Sequence, residues 1–313
     1  MIRDNTFTVG EKDAGCRLDM LLLATFPGSS RAFCRQALEQ GLVLHNGCPA
    51  QKGHKAVAGD RIEVRALKEE IDNRVSPDPS VPLAVLFEDA HLVAANKPSG
   101  MAVHPLSSDE RGTLMNGLVA RHPEMASVGD RPLMAGALHR IDTGTSGLVL
   151  AARTASAFEK LRGQFVAQSV RKVYLALVEG HVAVPGHLEH ELAHDPHLPH
   201  CKMADAAKLS GARRRMRAVT AYRPLELVSR YTLMEVVIHT GVTHQIRCQL
   251  ALAGLPVVND TLYGAHPVMG SGRHMLHAAE IEFEHPASGA CCRLQAPPAD
   301  DFQAFMRAAG GVS

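Results

Sequence analysis

The stretch "LKEEIDNRVSPDPSVP", residues 67–82, limits the fold more than any other. It is polar, holds three prolines and shows no hydrophobic period, so neither a regular helix nor a sheet strand is expected to run through it. A chain of 313 residues broken there reads as two folding units joined by a linker. The expected limits are 1–66 for a small module, 67–82 for the linker and 83–313 for the main domain.

The small module has clear local signals. "RLDMLLLATF" spaces apolar residues for a helix, and "PGSS" breaks it and offers Ser29 or Ser30 as the next N-cap. "SRAFCRQALEQG" is a second helix with Gly41 as its stop. It carries Arg31 and Arg35 on one face, because residues i and i+4 are neighbours. A strand, "LVLHNG", leads into a tight Asn-Gly turn, and "VAGDRIEV" is a second short strand. From spacing alone the two arginines fit a solvated face as well as a ligand contact.

Beyond residue 83, strands are expected at "HLVAANK", "GLVLAAR", "KVYLALVEG", "YTLMEVVIHTG" and "HAAEIEFEHP". Helices are expected at "TASAFEKLRGQFVAQ" and "THQIRCQLALAG". Strands and helices mix without regular βαβ alternation. That implies an α+β fold: a mixed, largely antiparallel sheet with flanking helices, preceded by the small α/β module.

Within this domain "HRIDTGTSGLVL" places Asp142 in a run of small residues ahead of a strand. It lacks the Gly and Lys spacing of a phosphate loop. Leu148 stands where a nucleophile elbow needs its second glycine. His139 alone is thin support for a metal. On local residues Asp142 is a turn aspartate or a nucleophile.

Global properties exclude other classes. The formal charge of +1 supplies no long-range field, so any nucleic-acid surface must be local. No apolar run reaches the roughly 18 to 20 residues of a membrane span. The first residues carry charges throughout and lack a signal-peptide core. Seven cysteines without framework spacing suit reduced thiols. A cytoplasmic protein without a membrane partner is expected.

Two resemblances sharpen this reading. "RLDMLL…SSRAFCRQALEQGLVLHNG…VAGDRIEV" resembles the S4 RNA-binding module over nearly the whole first block. "NKPSGMAVHP", "LHRIDTGTSGLVLAAR", "RKVYLALVEG", "HTGVTHQIRCQLALAGLPVVNDTLYG" and "LHAAEIEFEHP", in that order, resemble the RluA-type pseudouridine synthases across roughly residues 83 to 300. The resemblance implies a cofactor-free isomerisation of selected uridines in structured RNA, ribosomal large-subunit RNA before transfer RNA. It makes Asp142 the catalytic carboxylate, which is already ionised near neutrality and needs no activating base. Attack on C6, attack on C1′ and formation of a glycal all remain open. Tyr174 matches the tyrosine that stacks on the uracil and is a candidate base at C5; Arg247 matches the cation that pairs with the carboxylate. Arg140 matches an arginine beside the flipped base. His139, Arg140, Arg31 and Arg35 are the expected RNA contacts. The chain departs from the family at Thr143 and Val242, where a basic residue is common.

The rival readings are an RNA-binding protein without activity and a hydrolase that cleaves a glycosidic bond. The histidine-rich stretch from His181 to Cys201 has metal-like spacings but is broken by proline, so no metal is assigned and a loop near RNA is expected. "KLSGARRRMR" offers Lys208, Arg213, Arg214, Arg215 and Arg217 either to phosphates or to solvent. The protein is expected to act as a monomer.

Overall fold

The computed structural model describes residues 1–69, 72–196, 202–212, 214–268 and 272–310, in two compact units. The first comprises Met1–Val75 with Leu106–Asp109 and Arg131–Leu133. It contains β1 (Ile2–Thr8), α1 (Leu18–Thr25), α2 (Arg31–Glu39), β2 (Val43–His45), β3 (Cys48–Pro49) and β4 (Arg61–Leu67). The expected elements are present. Ser30 caps α2 by accepting from the Phe33 amide at 3.3 Å, and Gly41 follows the helix with φ +69. Asn46 and Gly47, at φ 51 and φ 82, make the tight turn between β2 and β3. Leu18, Leu22, Leu38, Val43, Ile62 and Val64 form the core of the unit.

The sequence reading missed β1. Its sequence IRDNTFT is mostly exposed and has no apolar alternation. Antiparallel pairing with β4, from Ile2 opposite Leu67 to Thr8 opposite Arg61, supplies the order that the pattern does not announce. The resulting sheet runs β1-β4-β2-β3.

The second unit holds β5 (Val85–Glu88), β6 (Leu92–Lys97), α3 (Leu114–Arg121), β7 (Ser146–Ala152) and α4 (Ala155–Val166). Next come β8 (Arg171–Glu179), β9 (Gly186–His194), β10 (Met203–Asp205), β11 (Met216–Val228) and β12 (Tyr231–Ile238). α5 (Gln245–Leu252), β13 (Leu276–Glu284), β14 (Cys291–Gln295) and α6 (Asp300–Gly310) complete it. One sheet runs β10-β9-β11-β12-β8-β13-β7-β6-β5, with β14 beside β13. Among the described residues its pairings are antiparallel except that of β7 with β13. The mixed, largely antiparallel α+β architecture is as expected.

β7 is buried at every residue because it lies inside the sheet and α4 packs on it through Phe158 and Leu161. Gly147 lies at φ +115, and a Cβ there would overlap the backbone of Ala278 on β13. Only glycine lets the parallel pair close at this point. Gly147, the second residue of β7, therefore serves sheet closure.

The histidine-rich stretch differs from its expected loop. Its first part is β9, paired with β11 from Gly186 opposite Tyr222 to Leu192 opposite Met216. His187, Glu189 and Glu191 alternate on its exposed side. His197, His200 and Cys201 lie outside the described residues, as does Arg213. Among the described residues no group of three or more His, Cys, Asp or Glu side chains could hold a metal. Arg217 and Arg215 pair with Glu189 at 2.6 Å and Glu191 at 3.5 Å.

Candidate active site

Asp142 sits in the turn that feeds β7, and neighbouring segments hold this turn from several sides. The Thr145 amide donates to the Asp142 carbonyl at 3.0 Å, and the Gly100 amide to the Thr143 carbonyl at 2.8 Å. Ser99 Oγ donates to the Gly144 carbonyl at 3.2 Å. Lys97, wholly buried, donates Nζ to the carbonyls of Pro98 at 2.8 Å, Met101 at 2.7 Å and Thr143 at 3.3 Å. Burial lowers this lysine to about 7. "NKPSGM" is thus a clamp on the aspartate turn.

Two buried histidines complete the clamp. Thr145 Oγ1 and His274 Nε2 lie 2.8 Å apart. Ser146 Oγ and His277 Nδ1 are 2.9 Å apart, with His277 Nε2 3.2 Å from the Ala296 carbonyl. That carbonyl can only accept, so the His277 proton sits on Nε2 and Ser146 donates to Nδ1. Burial lowers both imidazoles to about 4, so they are neutral near pH 7.

α5 delivers the cation. Arg247 NH1 donates to Asp142 Oδ2 at 2.8 Å, while Nε and NH2 clasp Asp260 at 2.6 and 2.8 Å. The Arg247 and Asp260 side chains are 8% and 1% exposed against 25% for Asp142. Burial raises the Asp142 pKa, but His244 and Arg247 outweigh it and hold the carboxyl below its ordinary value. Asp142 is therefore ionised, with one oxygen committed to Arg247.

Tyr174, on β8, is fixed in register between Val236 and Ala278. Burial and the charge of Asp142 push its phenol well above the ordinary value, so it is a neutral phenol beside the carboxylate. Asp142, Tyr174, Arg247 and Arg140 line one small cavity of about 50 Å³, with His244. Arg140 is exposed and donates to Thr243 Oγ1 at 3.1 Å.

This cavity shares Arg140, Asp142, Tyr174 and His244 with a groove of about 530 Å³. The groove adds Arg162, Phe165, Lys172 and Arg217 to its walls. His139 lines the groove and not the small cavity. Its Nε2 accepts the Leu150 amide at 3.0 Å, and its ring stacks on Phe165 at 5.3 Å. Burial, then Lys172, lowers it to about 3, so it brings no positive charge to a phosphate near neutral pH. Its visible contacts anchor the start of the aspartate turn.

Arg31 and Arg35 belong to the N-terminal unit. Each donates Nε to Asp19 Oδ2 at 3.3 Å, and Arg17 Nε reaches Oδ1 at 2.9 Å. Asp19 is 2% exposed, whereas the three arginine side chains are 41–48% exposed. A buried acid thus organises a half-exposed basic cluster.

The sequence reading did not single out Lys97, His244, Asp260, Tyr263 or His274. Each lies in or beside a quoted motif, but the contact that ties it to the site reaches a residue distant in sequence, as Lys97 reaches Thr143. Asp260 acquires a role only when the chain after α5 returns it to Arg247.

Comparison with known proteins matches this organisation. A family model described as RNA pseudouridylate synthase covers residues 91–252, and one for the S4 domain covers residues 16–62. The chain is 35% identical over 305 residues to "Ribosomal large subunit pseudouridine synthase D" of Neisseria meningitidis serogroup A, covering 94% of this chain and 79% of that one. The protein of the same name from Xanthomonas campestris is 34% identical over 313 residues, covering 96% and 91%. The solved structure of human RNA Pseudouridylate Synthase Domain Containing 1 has a TM-score of 0.54 at 25% identity, covering 71% of this chain and 86% of that one. The chain belongs to the RNA pseudouridylate synthase family. It is an isomerase that converts uridine in RNA to pseudouridine, and its N-terminal part contains an S4 domain.

Proposed function

We propose that the enzyme isomerises uridines of large-subunit ribosomal RNA with Asp142 as its catalytic carboxylate. The observation that carries the roles is the single cavity in which Arg247 holds Asp142 beside Tyr174. The names of the bacterial relatives support the RNA. Residues 1–66 act as the RNA-binding module, 67–82 as a linker and 83–313 as the catalytic domain. The exposed cluster around Asp19 supports the first assignment. One chain contains every residue of the candidate site, which supports a monomer. The described cysteines are free, in keeping with a reducing cytoplasm. Among the described residues no helix is long and apolar enough to cross a membrane.

The reaction breaks C1′–N1, joins C1′ to C5, removes the C5 proton and leaves a proton on N1, so no redox partner is needed. The uridine must leave its stack, at a cost of a few kcal/mol. Arg140 stands at the cavity to occupy the vacated place. Arg247 holds Asp142 Oδ2 and leaves Oδ1 for the sugar or base. This arrangement serves attack on C1′, attack on C6 and the glycal route alike. Tyr174 packs against the uracil. Its raised pKa disfavours phenolate before substrate binds, so proton removal at C5 by this residue requires relief of its burial or of the Asp142 charge.

The test is carbodiimide-adduct primer extension on large-subunit RNA from cells lacking the protein, treated with wild type or Asp142→Ala. Wild type should add stops at discrete uridines and the variant none. Stops confined to transfer RNA would reassign the substrate, and release of free uracil would make the enzyme a hydrolase. Failure on every RNA would leave an RNA-binding protein without activity.

A further inference from the structure

The proposed roles leave out one polar side chain at Asp142. His244 directly precedes α5 with φ 52 and ψ 20, a left-handed backbone uncommon for residues other than glycine, histidine being among those that adopt it more often. Its ring lines both the small cavity and the groove. Nδ1 is 3.0 Å from Tyr263 Oη, which accepts the Met203 amide at 2.9 Å. The phenol proton is then free to point at Nδ1, leaving the imidazole proton on Nε2. Nε2 lies 3.9 Å from Asp142 Oδ1, the oxygen that Arg247 does not hold. A facing carboxylate favours the same tautomer. The distance is too long for a direct bond, so the N–H stays available beside the reacting oxygen.

We propose that His244 is a further catalytic residue, a neutral Nε2–H donor that Tyr263 aims at the uracil O2 as C1′–N1 breaks. The proposal rests on the reading of Asp142 as the catalytic carboxylate. When the bond breaks, its electron pair stays on N1 and charge spreads onto O2. A preset donor there stabilises the transition state more than the ground state. His244 keeps its proton throughout; the C5 proton leaves and N1 gains one, as in the overall isomerisation. The groups that set its protonation are Asp142, Arg247, Asp260 and Arg140, and burial, the largest influence, favours the neutral ring. A residue kept in a strained backbone conformation at a cavity fits a functional demand on its position.

Nitrogen NMR of the ¹⁵N-histidine-labelled full chain, with His244 assigned by loss of its signals in His244→Gln, reads the tautomer directly. Nε2–H is expected in wild type, with a weaker preference in Tyr263→Phe. Single-turnover rates on an RNA carrying the mapped uridine form the second arm. Gln places an amide N–H near the Nε2 position, so His244→Gln should keep turnover within about tenfold of wild type. His244→Asn cannot reach that position and should lose on the order of 10²- to 10³-fold, with RNA affinity unchanged. A purely conformational role predicts the reverse order, because Asn tolerates the left-handed region. Wild-type turnover in His244→Asn, or a wild-type proton on Nδ1, overturns the proposal. A wild type inactive on every RNA sinks the parent reading and this role together, whereas an active wild type beside an active Asn variant sinks His244 alone.

Discussion

Arg247 spends two of its nitrogens on Asp260 and one on Asp142, at 2.6, 2.8 and 2.8 Å. The more buried carboxylate takes the bidentate grip and fixes the guanidinium plane. The less buried one receives a directed hydrogen bond and keeps an oxygen free. Asp260 is thus a positioning residue for the proposed chemistry.

Asp260→Asn should therefore lower the maximal single-turnover rate on the order of 10²-fold through misplacement of Arg247. RNA affinity should stay near wild type, because Asp260 is buried and does not line the groove. Rapid-quench kinetics over RNA concentration separate the two quantities. A lost affinity with an intact rate would refute the positioning role.

The pH profile follows from the depressed carboxyl of Asp142. A carboxyl whose pKa is lowered stays ionised as pH falls through the ordinary carboxylate range. Turnover should persist through that range and fail only below it. Arg247→Gln combined with Asp260→Asn removes the cation without stranding a buried charge. In that double variant burial is less opposed, and the acid limb should move to higher pH. Single-turnover rates measured across pH, with circular dichroism to confirm folding, show whether the limb moves.

Lys97→Met keeps the length of the side chain but strips a buried donor from three carbonyls. Each stranded acceptor costs roughly 1–3 kcal/mol before relaxation. Urea unfolding should show a loss of several kcal/mol at unchanged m-value. Turnover should fall as well, since Thr143 adjoins Asp142. A small stability change with full activity would remove Lys97 as the clamp.

Gly147→Ala tests sheet closure at β7. The added methyl meets the Ala278 backbone, and φ +115 is unsuited to alanine. A loss of about 3 kcal/mol or more is expected by chemical denaturation. Gly163, whose Cβ would meet nothing, serves as the control: Gly163→Ala should not destabilise the fold, because alanine is the better helix former.

Arg31→Ala with Arg35→Ala should weaken RNA binding and flatten its dependence on salt, by roughly 0.7 to 0.9 in the log–log slope for each phosphate no longer neutralised. The synthase chemistry should remain, because neither residue belongs to the catalytic unit. Fluorescence anisotropy over a potassium chloride series gives the slope. Equal slopes for wild type and variant would leave the cluster around Asp19 without a role in binding RNA.

The expected helices and strands were legible because their signals are local, whereas α3 and α6 were not among them. Ser30, Gly41 and the Asn46–Gly47 turn announced the elements of the first unit, while β1, with no apolar alternation, did not. In the second unit, the histidines and glutamates of β9 mask a strand that is ordered by pairing with β11. His139 stood beside Arg140 in sequence, yet the fold turns it onto the Leu150 amide.

By itself the sequence determined the repertoire: an α+β chain with Asp142 in a turn, Tyr174 on a strand and Arg247 on a helix, each in a recognisable motif. Tertiary structure alone decided the partnerships. Asp260 on Arg247, Tyr263 on His244 and Lys97 on the Thr143 carbonyl are contacts between distant segments. A hydrogen bond is selected by position and burial in space, which sequence spacing does not encode. The aspartate was visible in its motif; what leaves one of its oxygens free was visible only in the fold.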